Sequence, residues 1–516
     1  MKKSIITTIL LMALISVFLI YTLNSSSTLE SKGNYSLEES DNSNGGQRIA
    51  PFYEPSSIFP NIEAPEDFDW RQFEGVTLNF LVENNINANV LSKESQLFTE
   101  ITGININIRP MDFSTLIQKI NIDFISKTGK YQLLYVDPYQ TLNRFAETNL
   151  EDLHRYNRDP SLPHIPGGIE DFFGEQIMVD SYFIDEEALY TVPFDTTTMI
   201  LYYRKDIFEK YKEAFMEEKG YDWTPGQPDF TWERYVEVAD WIEKNVPDDE
   251  VKYGSGHMAQ RHNSIFCDFS NILASYGGDY FSDKNIRMLG LREPRHIRVL
   301  EPNFIEALNM YKKIIKTSAP ESLGWDWYDT AEAFKNGEIA MMANWDENAS
   351  AMENPATSKV AGKVGYGILP YGPKRSANIF GGSGIGINKH ANEREKQAAW
   401  LFIVWATAPQ TQLFVLKHPE GGGIPPRESV YQDEMIKKVV LDAIEKNDEK
   451  YRTMLQLPAV LQAWEEENVY YRPKIGNFYY VEQIIIKHLH EMIREDLSAE
   501  DTARSMYDEI KALGNK

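Results

Sequence analysis

A chain of 516 residues is longer than one hydrophobic core usually supports, so it predicts two or three folding units, and 42% apolar residues are available to fill them. Its 77 acidic residues against 52 basic ones leave a net charge of -25, which argues against a nucleic-acid partner, because phosphate backbones are gripped by Lys and Arg patches. The single cysteine, Cys267, excludes an intramolecular disulfide and a cysteine-rich metal centre.

Lys2 and Lys3 precede an uncharged run over residues 4–23. At ~1.5 Å per residue this run would span ~30 Å of hydrocarbon. Residues 1–23 therefore read as a signal sequence or a membrane anchor. The length of the run and the absence of a small-x-small pair at its exit favour an anchor with its basic end inside. In either case the rest of the chain is expected outside the cytoplasm, held at the outer face of the membrane or secreted if the segment is cleaved. Residues 24–66, rich in Ser, Asn, Gly, Glu and Pro, read as a flexible linker.

Beyond the linker, Val76, Leu78, Phe80 and Val82 alternate as in a strand. Val90, Leu91, Leu97, Phe98 and Ile101 follow at helical spacing, with Gly103 placed to end the helix. Ile104, Ile106 and Ile108 predict a second strand, and Leu116, Ile117, Ile120, Phe124 and Ile125 a second helix. The apolar run at 131–136 predicts a third strand, stopped by Asp137-Pro138. Such a β-α-β-α-β unit predicts parallel strands with right-handed connections and a ligand held beyond the carboxyl ends of the strands. Glu83, Asn84, Asp137 and Tyr139 fall at that rim. Further helices are expected around 206–217 and 232–244. At the end of the chain Val481, Ile485, Leu489 and Met492 form one stripe, and Ser498 opens a last helix.

Catalytic signatures do not assemble. Gly381-Gly382-Ser383-Gly384-Ile385 lacks the final glycine of a nucleophile elbow, and Gly382, Gly384 and Gly386 have the wrong spacing for a dinucleotide loop. His488 and His490 point to different sides of a helix and cannot share a metal. Asp346-Glu347, or Asp326 with Asp329, resemble the acid and base of a glycosidase, but among 77 acidic residues such pairs arise by chance. The chain reads as a binding protein without catalysis, cofactor or metal.

From Phe334 onward the sequence runs Phe334-Lys335-Asn336-Gly337-Glu338-Ile339-Ala340-Met341-Met342, then Asn344-Trp345, then Val364-Gly365-Tyr366-Gly367-Ile368-Leu369-Pro370. Phe380-Gly381-Gly382-Ser383-Gly384-Ile385-Gly386-Ile387 follows. Upstream stand Tyr190-Thr191-Val192-Pro193-Phe194 and Ile200-Leu201-Tyr202-Tyr203-Arg204-Lys205-Asp206-Ile207-Phe208, and downstream Arg472-Pro473. In order and spacing this series resembles the bacterial extracellular solute-binding proteins of family 1, the group that includes the maltose-binding type. The resemblance covers about residues 72–516.

That resemblance implies a two-lobed α/β fold of type II, with residues 67–194 and 382–425 in the first lobe, 195–381 and 426–516 in the second, and crossover segments as a hinge. It implies a monomeric receptor that captures a carbohydrate, an oligosaccharide by expectation, and delivers it to the membrane permease subunits of an ABC importer. The alternatives are a ligand sensor for a membrane kinase within the same fold and, from another class, a cell-surface carbohydrate-active enzyme. Carried across position by position, the expected ligand contacts are Glu83, Asn84, Asp137 and Tyr139 on the first lobe and Phe194 and Asp195 at the first crossover. They continue with Asp268, Asn271, Trp345 and Asp346 on the second lobe, Gly382 and Ser383 at the return crossover, and Arg472 and Tyr479 near the C-terminal helix. The chain departs from the family in having no lipobox cysteine after its apolar run. Cys267 reads as a small core residue. Trp325, Trp327 and Tyr328 line the cleft or pack a loop, and Arg427 reaches the cleft or serves the structure.

Overall fold

The computed structural model describes residues 62–444 and 448–514, so the apolar run at 4–23 and most of the expected linker lie outside the described residues. The fold starts inside the stretch read as linker. Ile62 is buried in the first core, and the Glu63 carbonyl accepts the His164 backbone N–H at 2.9 Å.

The expected β-α-β-α-β unit is present. β1 (Thr77–Glu83) is flanked in parallel by β2 (Asn105–Met111) and β3 (Leu133–Val136). The helix Ile86–Thr102 is capped by the Asn85 side chain and ends on Gly103 at φ 69°, a conformation that a Cβ would strain. The helix Phe113–Ser126 is capped by Asp112. Two distant segments complete the sheet: β4 (Val192–Asp195) and β9 (Ser383–Ile387), the latter antiparallel to both β3 and β4, giving the order β2-β1-β3-β9-β4. Under it packs the helix Glu393–Ala406, whose Phe402 and Trp405 meet Phe80 and Phe98 at centroid distances of 5.4 to 5.8 Å.

A second sheet of three strands has β5 (Met199–Arg204) between β6 (Met341–Trp345) and β7 (Val364–Gly367), both antiparallel to it. β8 (Asn378–Ile379) pairs in parallel with β10 (Val469–Tyr470). Helices Lys205–Lys219, Trp232–Asn245, Asn263–Ser275, Pro302–Lys316, Phe478–Arg494 and Ala499–Leu513 contribute to the core around them. Trp223 is stacked on Phe215 at 4.3 Å and meets Trp241 edge-on at 5.3 Å, and such aromatic pairs add ~0.5–1.5 kcal/mol each beyond their burial.

The result is a two-lobed α/β fold in which the chain passes between sheets at residues 196–198 and again at 380–382. The two crossovers are bound to each other: Thr198 bridges Phe380, and the Gly381 N–H donates to the Thr197 carbonyl at 2.9 Å. Thr196 Oγ1 adds a bond to the Ile424 carbonyl at 2.8 Å.

Candidate functional site

A cavity of about 50 Å³ lies where the carboxyl ends of β1 and β3 face the end of β6 and the crossovers. Strand ends supply Glu83, Asp137 and Trp345: Glu83 and Trp345 are the last paired residues of β1 and β6, and Asp137 directly follows the last paired residue of β3. Tyr135 comes from β3, and Thr197 and Gly381 from the crossovers. Trp327 and Tyr328 open the helix Trp327–Lys335, which is fixed by an Asp326 capping box, while Asn344 Nδ2 donates to the Trp327 carbonyl at 3.0 Å and ties that turn to β6. Asn263 and Cys267, one helical turn apart, face the cavity from the helix Asn263–Ser275, and Arg472 and Glu482 close it from the C-terminal segment. Gly381 is a steric requirement, because a Cβ there would stand 2.6 Å from the Trp345 ring.

The electrostatics are one-sided. Four carboxyls, Glu83, Asp137, Glu347 and Glu482, face the cavity together with one guanidinium, Arg472. Burial pushes Glu83 up to about 8, helped by Asp195 and Asp137, and raises Glu347 well above the usual carboxyl range, helped by Asp195 and Glu83. Burial also carries Glu482 up to about 8 against the pull of Arg472 and of two amide donors, Gln140 at 2.5 Å and Asn263 at 2.6 Å. Arg472 lies 3.9 Å above the Tyr139 ring and 3.8 Å from Asp137. Burial drives the Cys267 thiol up to about 12, so no thiolate nucleophile forms near neutral pH. Among the described residues, the buried Glu347 Oε2 and Arg472 Nε have no hydrogen-bond partner, an acceptor and a donor left over in side chains that line the cavity. Acids that are largely protonated, amides and a guanidinium can fork onto hydroxyls, and the rings can cover an apolar sugar face.

The structure brings Glu83, Asp137, Trp345 and Arg472 to one cavity, with Tyr139 beneath Arg472. Asp195 and Asp346 stand behind the wall. Asp195 accepts from Asn85 at 2.9 Å, Asn87 at 3.2 Å and Tyr135 at 3.2 Å, and Asp346 accepts from Thr197 Oγ1 at 2.9 Å. Ser383 is buried in β9, and a Cβ on the neighbouring Gly382 would strike the Phe380 ring. Phe194 packs edge-on against Phe80 in the first core, and Asn84 is exposed and bonded to Asn89. Tyr479 lines an adjoining chamber. Asp268 and Asn271 do not reach the cavity: Asp268 contacts His257 and Tyr311, and Asn271 accepts the Ile379 N–H at 2.8 Å. Trp325 packs beside Gly256, and Arg427 is fully buried on the carbonyls of Thr407 and Pro166 and on Asp171. Sequence reasoning passed over Tyr135, Thr197, Asn263 and Glu482 and treated Glu347 only as a chance pair. A carboxyl sitting inside the apolar stripe of a helix, as Glu482 does, was the one available signal.

A family model described as bacterial extracellular solute-binding protein matches residues 95–448. The chain belongs to that family. It is accordingly an extracytoplasmic protein from a family of binding proteins. The chain is 23% identical over 394 residues to the erythritol/L-threitol-binding protein of Mycolicibacterium smegmatis, covering 74% of this chain and 76% of that one. It is 22% identical over 404 residues to the mannitol-binding protein of Pseudomonas aeruginosa, covering 74% and 82%. Among solved structures, maltose-bound MalE3 of T. maritima superposes with a TM-score of 0.69 at 25% identity, covering 85% of this chain and 100% of that chain. An ABC transporter solute-binding protein from Agrobacterium radiobacter in complex with ribitol gives 0.68 at 23% identity, covering 85% and 99%.

Proposed function

We propose that this solute-binding protein serves an ABC importer and takes a neutral carbohydrate or polyol in the cavity between its lobes, which close on it about residues 196–198 and 380–382. The observation that carries the reading is the convergence of three rings, Trp327, Tyr328 and Trp345, with Glu83, Glu347 and Arg472 around one void. Rings cover the C–H face of a sugar while carboxyls and guanidinium take its hydroxyls. Arg472, the one cation among the described residues lining the cavity, already stands 3.8 Å from Asp137, which disfavours an anionic solute. Relatives named for erythritol, L-threitol and mannitol support the polyhydroxyl class.

In this reading the protein acts as a monomer, binds without turnover, and is held at the outer face of the membrane by the uncharged run at 4–23. Mass spectrometry of the native membrane fraction should then find peptides from that run still attached, and only chains starting beyond residue 23 would refute the anchor. The binding reading is tested by a thermal-shift screen of neutral sugars and polyols beside amino acids and phosphate esters. A ligand at ~100 times its dissociation constant adds ~2.7 kcal/mol of stability, so a hit is plainly visible. Stabilisation by phosphate esters or amino acids alone would contradict it.

A further inference from the structure

The acids around the cavity come from both lobes. Glu83 ends β1 and Asp195 ends β4, both in the first sheet, where the Tyr135 hydroxyl donates to Asp195 at 3.2 Å. Asp346 and Glu347 directly follow β6 of the second sheet, so they arrive from the other side of the cleft. The cleft is shut at this point: Phe113, opening the first-lobe helix Phe113–Ser126, meets Trp327 of the second lobe edge-on at 6.2 Å. The charges that act most strongly on Glu347 are Asp195 and Glu83, across the cleft, and then its neighbour Asp346; a hydrogen bond from the Ile86 N–H opposes them only in part. Glu83 in turn faces Asp195, Asp137 and Asp112, with the phenols of Tyr135 and Tyr328 beside it. Arg472, the one cation among the described residues lining the cavity, stands 3.8 Å from Asp137 and over the Tyr139 ring. Two acceptors of the group, Asp346 Oδ2 and Glu347 Oε2, are buried without a donor among the described residues, and Asp346 as a whole is 0% exposed. A solute cannot touch atoms so enclosed. A proton carried in before the cleft shuts can stay on them, and a buried carboxylate without a counter-charge is the species that most needs one.

We infer that this receptor binds its solute together with a proton, which the carboxyls of Glu83, Asp195, Asp346 and Glu347 take up as the lobes close. The inference rests on the carbohydrate reading and deepens it. Closing strips water from the acids and sets Glu347 against Glu83 and Asp195, and like charges in one dry site do not all persist. The proton comes from solvent to a carboxylate oxygen, a neutral carboxylic acid results, and no bond of the solute changes. The closed form keeps its protons to a higher pH than the open form, Glu83 to about 8. Affinity is therefore full where both forms are protonated and falls as pH rises from the ordinary carboxyl range through the closed-form values. A sodium ion, or a basic nitrogen on the solute, is the rival source of positive charge.

Calorimetric titration of the full chain tests it, with mannitol, ribitol, maltose and any further sugar or polyol found in the thermal-shift screen. Each titration is run at about pH 7 in phosphate and in Tris, whose heats of ionisation differ, so that the difference in heat counts the protons exchanged. The expected result is an uptake of ~0.5–1 proton per solute bound, with affinity falling ~3- to 10-fold per pH unit between about pH 6 and pH 8. Glu347→Gln should lower the uptake and flatten the slope, and Glu83→Gln should do the same independently. Glu332→Gln, on the exposed face of the helix Trp327–Lys335, should leave both as they are. Equal heats in the two buffers with affinity flat across that range, or a slope that survives both cleft substitutions, overturn the proton linkage while the carbohydrate reading stands. Proton release, with affinity rising with pH or with sodium concentration, assigns the positive charge to a cation and overturns the linkage too. Absence of binding by every sugar and polyol overturns the carbohydrate reading and the linkage with it.

Discussion

Two clusters of buried polar groups stand in this molecule and behave oppositely. In the first, His257 Nδ1 contacts both Asp268 oxygens at 3.0 and 3.1 Å, its Nε2 meets the Tyr235 hydroxyl at 3.0 Å, and Tyr311 donates to Asp268 at 3.2 Å. Each polar group there has its partner inside the protein, and all four residues are buried. In the second, the interlobe cavity, carboxyls crowd together, their protons are held to unusually high pH, and an acceptor on Glu347 and a donor on Arg472 remain over. A network that satisfies itself spends its hydrogen bonds on the fold, whereas one left incomplete at a void has bonds to offer a solute. Both kinds look alike in a sequence; the count of partners separates them.

The contrast can be broken at its strongest point by Asp268→Ala. Removing one partner of a buried pair strands the others, so stability should fall by ~3–5 kcal/mol in denaturant unfolding, with solute affinity of the folded molecules unchanged. A weakened affinity would move Asp268 into the site. Next comes Trp345→Ala, with the side chain 8% exposed at the cavity wall. A stacking role predicts a loss of ~2–4 kcal/mol in binding, about 30- to 1000-fold, and a smaller loss of stability. Stability lost with affinity intact would make it a core residue.

The third test is pH. Asp195 is raised by burial from 3.8 to about 6, Asp346 from 3.8 to about 7, and Glu83 and Glu482 from 4.5 to about 8. Between the unfolded and folded values the native state holds protons that the unfolded chain has already released, so stability must fall as pH rises through that window. Lys474, lowered by burial to about 7, works in the opposite sense above that pH, so the decline is steepest below it. We expect the ligand-free protein to lose at least ~2–3 kcal/mol between about pH 5 and pH 7, the share of a single carboxyl raised to 7 or above. A flat or rising profile would show that the carboxyls are not pressed together. The smallest effect is that of Glu347→Gln, which removes one crowded carboxyl and should add ~1 kcal/mol of stability near pH 8 while changing little near pH 5.

Much of the architecture was legible because it is local. The alternation of Leu78, Phe80 and Val82, the helical spacing from Val90 to Ile101 and the stop at Gly103 correspond to β1 and the helix that follows it. The rule that solutes bind beyond strand ends led to Glu83, Asp137 and Trp345, which do share a cavity. Asp268 and Asn271 show where such reading runs out. The rotation of the helix Asn263–Ser275 decides their fate and is not written in the residue types: at ~100° per residue Asp268 points away from the face that carries Asn263 and Cys267. Glu482 and Gln140 meet across 342 positions of sequence, and only the crossing of the lobes brings them together. The start of the fold at Ile62 was hidden for a similar reason, since its partners lie a hundred residues on, around His164.

The central claim is that the cavity between the lobes is where the solute sits, and the measurement closest to it is a crystal structure with the tightest-binding sugar of the thermal-shift screen. The account predicts a sugar ring against Trp345 within ~4 Å, the contact distance of packed carbon atoms, with hydroxyls on Glu83, Glu347 and Arg472. A sugar found elsewhere on the protein, or an empty cavity at a saturating concentration, would contradict it.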